Sequence, residues 1–259
     1  MTGSSHKRDP HGGADPYSKL SHAQDRRRRT LPMVIGGTVV VVAICALIAI
    51  LATRSDDTDS GAAAGTGAAA AADAKQETAE ITVTGEPLPS MPEMAPGSYF
   101  TDVSTDKAIG MPAPSIDGSS FDGTPVKVDT GDGTPRVIVF VAHWCPHCQK
   151  EVPAIQQWID DGNLPKGVEI VYVSTGVAPE RGNYPVSDWI EKEGVTPKVV
   201  LDDDQGGAAS DYGLSGFPYF VMVDGQGKVV ARGSGEIPMD VFGPAVDALA
   251  AGQDPTTAS

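Results

Sequence analysis

The chain has 259 residues and a formal net charge of −15 at pH 7, long enough for one ordinary domain plus anchoring or linking segments. The charge is uneven: residues 1–30 hold seven Lys/Arg (Lys7, Arg8, Lys19 and Arg26 to Arg29) against three Asp, whereas the chain from Thr53 onward carries 12 Lys/Arg against 31 Asp/Glu. An acidic globular part lacks the basic face that phosphate contacts need, which excludes nucleic acid as a partner. Three cysteines are too few for a disulfide-stapled secreted scaffold.

In chain order, the basic segment 1–30 precedes an uncharged apolar run, Leu31 to Ala52. As a helix this run spans roughly 33 Å, against about 30 Å for the hydrocarbon core of a bilayer. With Arg26 to Arg29 before it and only Arg54 directly after, the positive-inside rule predicts a single-pass anchor. The N-terminus is then cytoplasmic and the acidic part extracytoplasmic. A cleaved signal peptide is the competing reading, although the run exceeds the roughly 7–15 residues of a typical signal core. A twin-arginine export signal at Arg28-Arg29 is a second variant. Cys45 falls within the span, and Ile44 before it does not suit lipid attachment.

Residues 53–104 show no hydrophobic periodicity; an Ala/Gly run (Gly61 to Ala72) and four prolines (Pro87, Pro89, Pro92, Pro96) predict a flexible linker. A folded domain is expected over 105–252, with a disordered tail at 253–259. Within it, Arg136 to Val141 (RVIVFV) and Val168 to Ser174 (VEIVYVS) are apolar strands. A helix follows Cys148, with Val152, Ile155, Trp158 and Ile159 on one face, and a second covers Ser187 to Glu193. Lys198 to Leu201 is a short strand or an extended connection. Tyr219 to Val223 and Lys228 to Ala231 flank Asp224-Gly225-Gln226-Gly227, a hairpin signal, and Pro238 to Leu249 closes as a helix. The order predicts an α/β domain with a mixed central sheet covered by helices.

The chemistry falls on Cys145-Pro146-His147-Cys148, between a buried strand and a helix. Unpaired N–H groups and the positive dipole end of a helix stabilise a thiolate, the nucleophile of disulfide exchange. Cys145 is the expected attacking thiol, and Cys148, one turn on, the resolving one. His147 is expected to hydrogen-bond the Cys145 sulfur or lend it a positive charge, lowering the thiol pKa and favouring the reduced form. Trp144 shields the site or simply packs, and His143 is expected at the surface. Zinc is excluded by counting: His143, Cys145, His147 and Cys148 crowd one turn and cannot close a tetrahedron. Phe217-Pro218, entering the strand YFVMV, marks a special geometry because proline cannot join a ladder. A cis peptide bond is one reading of it and an ordinary trans loop the other.

Ala142-x-Trp144-Cys145-Pro146-His147-Cys148, with Pro153 five residues on, resembles the active-site strand and helix of the thioredoxin superfamily. Phe217-Pro218 then matches its cis-proline loop, which orients substrate. Gly110-Met111-Pro112-Ala113-Pro114-Ser115-Ile116, followed by Asp117-Gly118, is similar to the lead-in of the membrane-anchored TlpA/ResA branch, and Glu151 stands where that branch carries an active-site carboxylate. Val139, by contrast, replaces the buried Asp or Asn of the superfamily. The resemblance covers about residues 107–250. It implies a thioredoxin-like fold, Cys145 and Cys148 as the redox pair, Pro146, His147 and Glu151 as tuning residues, and Trp144, Phe217 and Pro218 at the substrate. No cofactor beyond the Cys145–Cys148 disulfide is implied. The partners implied are thiol- or disulfide-containing exported proteins and a membrane redox partner.

Pro-His matches the strongly oxidising DsbA class, so the reading leans to an oxidant; the alternative is a TlpA/ResA-like reductase, as in cytochrome c maturation. A peroxiredoxin would need Pro and Thr shortly before a lone cysteine, and copper delivery would need a histidine after His147; the sequence has neither. A chaperone or binding module on the same fold would not need both thiols.

Overall fold

The computed structural model describes residues 75–257. The expected basic tail, the apolar span at 31–52 and the first part of the linker lie outside the described residues, and among the described residues no helix is long and apolar enough to cross a membrane.

The fold is built around Arg136–Val141 (β4), whose six residues are all buried. A strand apolar on both faces can only sit at the centre of a sheet covered on both sides. β4 pairs in parallel with β5 (Glu169–Ser174) and antiparallel with β7 (Tyr219–Val223). Beyond them lie β6 (Lys198–Leu201), parallel to β5, and β8 (Val229–Ser234), antiparallel to β7, giving the order β6-β5-β4-β7-β8. A register shift between Met222 and Val223 interrupts the β7–β8 ladder. Helix α1 (Cys148–Asp160) follows β4, α2 (Val186–Lys192) follows β5, α3 (Gly207–Asp211) follows β6 and α4 (Met239–Ala250) closes the domain.

The two faces of the sheet are filled differently. On one, Phe220 of β7 meets Phe242 of α4 with ring centroids 6.0 Å apart, and Trp158 of α1 meets the same ring edge-on at 5.4 Å. On the other, Phe140 packs on Tyr212 at 5.1 Å and Tyr219 at 5.7 Å. The expected order of strands and helices is found; α3 and a separate sheet of β1 (Thr82–Thr84), β2 (Ser115–Ser119) and β3 (Pro125–Val128) are additional to it.

The linker expected to reach residue 104 is corrected for residues 75–104. Thr82–Thr84 pairs with β2, Leu88 is buried, and Leu88 and Met91 donate backbone hydrogen bonds to Asp211 and Gly213. Further on, Thr101 N–H donates to Arg232 O of β8 and Gly110 N–H to Val229 O, covering an edge that would otherwise present unpaired groups. Glu77 accepts from the N–H groups of Val186 and Ser187 (2.6 and 3.1 Å) and from the Ser187 hydroxyl (2.6 Å), capping α2 from more than 100 residues away. These contacts are backbone pairs and single anchors, which leave no hydrophobic period in the sequence. The disordered tail is likewise corrected for residues 253–257: Pro255–Thr257 is a 3-10 turn with Pro255 buried.

Candidate functional site

β4 ends at Val141 and the chain turns sharply: Cys145 N–H donates to Ala142 O, and Gln149 N–H to Cys145 O, before α1 begins at Cys148. The turn brings Cys145 almost to the surface (5% exposed) and leaves Cys148 fully buried (0%). Phe217–Pro218 is a cis peptide, and as a thiol Cys145 donates to the Phe217 carbonyl oxygen at 3.8 Å. The half-buried Trp144 stands edge-on to Phe217 at 5.8 Å, its indole N–H donating to Gly176 O at 2.8 Å. The Arg181 guanidinium lies over the Trp144 ring, 4.1 Å from its centroid. Pro146 is exposed beside the cysteine.

The two thiols are set far apart in acidity. A hydrogen bond from Cys148, aided by the backbone N–H groups of Cys148 and His147 and the His147 charge, holds Cys145 down to about 6 from an ordinary 9.0. Burial, and then the hydrogen bond it gives to Cys145, pushes the Cys148 thiol far up. Glu151 is 3% exposed. Burial raises its carboxyl from 4.5 to about 7, against the Ile237 N–H that donates to it.

Two expectations are corrected here. Of the two roles expected of His147, the hydrogen bond to the Cys145 sulfur is not made, and only its charge acts on the thiol. The His147 side chain is 59% exposed, and its Nδ1 pairs with Glu236 at 2.6 Å, a carboxylate that also accepts from Lys150 at 3.0 Å. His143, expected at the surface, is 1% exposed. Its Nδ1 faces the Gly182 carbonyl at 2.7 Å, and its Nε2 faces the Ala178 N–H at 3.1 Å. A carbonyl only accepts and an N–H only donates, so the ring is neutral with its proton on Nδ1. In this form His143 clamps the loop that carries Arg181 and the Gly176 carbonyl against Trp144. Glu236, Arg181 and the His143 clamp escaped the sequence reading. The first two lie far along the chain with no local signal, whereas the position of His143 at the end of a fully buried strand was a usable sign.

Burial lowers the His143 pKa below 6.5. The stability it contributes is therefore fully present above pH 6.5 and is lost as pH falls below it. His143→Gln is expected to cost about 1–3 kcal/mol at pH 7.5. In urea unfolding, its deficit relative to the wild type should shrink toward pH 5; a deficit independent of pH would rule the clamp out.

A cysteine pair at a strand–helix turn, facing a cis-proline across a mixed sheet, defines a thioredoxin-like domain. The Redoxin family model matches residues 108–248. The chain belongs to that family. It is 30% identical over 125 residues to the thiol:disulfide interchange protein HelX of Rhodobacter capsulatus, covering 48% of this chain and 65% of that protein. It is 26% identical over 128 residues to the thiol-disulfide oxidoreductase ResA of Bacillus anthracis, covering 49% of this chain and 70% of that one. The solved structure of a hypothetical protein from Sinorhizobium meliloti superposes with a TM-score of 0.51 at 19% identity, over 62% of this chain and 91% of that chain, a likeness of fold alone. The chain spans just under two thirds of the length of HelX. The lean to an oxidant, drawn from Pro146-His147, finds no support in these relatives.

Proposed function

We propose that the chain is a thiol–disulfide oxidoreductase that reduces disulfides of exported proteins. In this reading residues 31–52 anchor it, and the domain stands on the extracytoplasmic side. The observation that carries the proposal is the split between the two thiols: Cys145 near the surface with its pKa drawn down to about 6, and Cys148 sealed beneath it and protonated. The Cys145 thiolate attacks one sulfur of a substrate disulfide, forming a mixed disulfide and expelling the other sulfur as a thiolate. Cys148 then loses its proton to Glu151 and attacks the Cys145 sulfur. The Cys145–Cys148 disulfide forms, the bond to substrate breaks, and the substrate thiolate takes up a proton. Two electrons have passed from the cysteine pair to the substrate. Trp144, Phe217 and Pro218 line the approach to Cys145, and an external dithiol donor must then restore the pair.

The reducing direction rests on two features. A Cys145 pKa of about 6 stands nearer the ~7 of thioredoxin than the ~3.5 of DsbA. Glu151, raised to about 7, is poised to accept a proton from Cys148 at neutral pH. Equilibration with glutathione tests the direction. The reduction potential is expected below about −200 mV, and a value near −120 mV would overturn the reductant in favour of an oxidant. His147→Ala is expected to move it by less than about 30 mV, a tenfold change in the equilibrium constant.

A further inference from the structure

Tyr172 lies within β5, directly across from Val139 of β4, and Val139 is paired on its other side with Phe220 of β7. Residues paired across strands project from the same face of a sheet. Phe220 reaches Phe242 of α4, and Trp158 of α1 reaches that same ring, so the row Tyr172–Val139–Phe220 faces the helical layer that holds Cys148 and Glu151. Tyr172 is fully buried, and its hydroxyl has no hydrogen-bond partner among the described residues. The two buried tyrosines on the opposite face are satisfied, Tyr212 donating to Pro114 O and Tyr219 to Tyr212 O. An unpaired buried hydroxyl is costly, and native folds seldom keep one without a use. Burial, and then the charges of Glu151 and Cys148, hold this phenol protonated, so it remains a donor throughout.

We propose that Tyr172 is a positioning residue for the resolving step, its hydroxyl donating to the Cys148 sulfur as that thiol yields its proton to Glu151. The proposal rests on the reductive reading above. The row itself offers no other polar group, since Val139 and Phe220 are apolar. A thiolate forming in this layer is strongly disfavoured by burial. A donor already desolvated and uncommitted stabilises it without breaking an existing bond. The titratable groups around the hydroxyl are Cys148 and Glu151 from α1, with Cys145 before the helix acting on Cys148, and Glu236 before α4 acting on Glu151.

The test uses the full chain, with oxidised glutathione as the probe disulfide, following formation and then resolution of the Cys145–glutathione adduct. Tyr172→Phe is expected to leave adduct formation within about twofold of the wild type while slowing resolution about tenfold. The pH midpoint of resolution should move upward, and the alkylation midpoint of Cys145 should stay unchanged. The variant should be at least as stable as the wild type, since it loses only an unpaired hydroxyl. Resolution at the wild-type rate and midpoint would overturn the role. Equal slowing of both steps would overturn it too, by marking a general packing defect. A wild-type chain that forms no adduct, or never resolves it, defeats the reductive reading and this proposal together, and the wild-type curve alone distinguishes that outcome.

Discussion

Cys148→Ser is expected to leave the first attack intact and arrest the chain as a mixed disulfide at Cys145. A serine hydroxyl cannot displace sulfur from sulfur, so multiple turnover should fall on the order of a thousandfold or more. The adduct should persist because Cys148 is fully buried: no solvent thiol replaces it from beneath, and release must wait for a reductant to reach Cys145. Mass spectrometry after incubation with oxidised glutathione reads this directly. One glutathione should be found on the variant, mapped to Cys145, and none on Cys145→Ser. Continued turnover by Cys148→Ser, or an adduct formed on Cys148 in the Cys145→Ser chain, would reverse the assignment of attacking and resolving thiols.

The second large effect is on stability. Arg232 of β8 and Asp106 form an ion pair with both side chains 0% exposed. Arg232 Nε donates to Asp106 at 2.8 Å, and its NH1 group donates to the Pro89 carbonyl at 2.8 Å and the Tyr219 hydroxyl at 3.1 Å. Asp106 also accepts from the Thr101 hydroxyl at 2.7 Å. Against burial, which would raise it, Arg232 and Thr101 hold Asp106 below its ordinary value. Arg232→Leu strands a buried carboxylate and should cost about 3–5 kcal/mol in urea unfolding, whereas Arg232→Met with Asp106→Leu should cost clearly less than either single change. Amide exchange near Leu88, Met91 and Thr101 should accelerate in Arg232→Leu, because the arginine also holds the Pro89 carbonyl. A double variant as damaged as the single ones would mean that packing, not the stranded charge, sets the cost.

The parts of the domain that obey a period were legible in the sequence. RVIVFV and EIVYVS read as buried strands because continuous apolar runs have no other place in a small sheet, and α1 was visible from Val152 and Ile155. The cysteine pair, Trp144 and Phe217-Pro218 stood out because residue type and position along predicted elements coincide there. What escaped depends on contacts distant in sequence. Glu236 meets His147 across 89 residues, and its carboxylate takes the imidazole hydrogen bond that the motif offered to the sulfur. Glu151 could be placed on a helix but not on its buried face, because α1 buries Gln156 and Glu151 along with its apolar residues. Tyr172 read as one more residue of a hydrophobic strand; only the register with Val139 puts it on the sheet face that the helices cover. The stretch 75–104 lacks periodicity yet is bound into the fold by backbone pairs and by Leu88.

The Glu77 contact bears on how this protein should be cut for work in the test tube. A fragment begun at residue 105, where a sequence boundary falls, would strip the acceptor from Val186 and Ser187 at the start of α2. The same cut would remove Leu88 from its buried seat and uncover the backbone of β8. The loop leading into α2 holds Trp144 through Gly176 and Arg181. Such a fragment would therefore report a reactivity for Cys145 that belongs to the truncation, and a faithful one has to include Glu77.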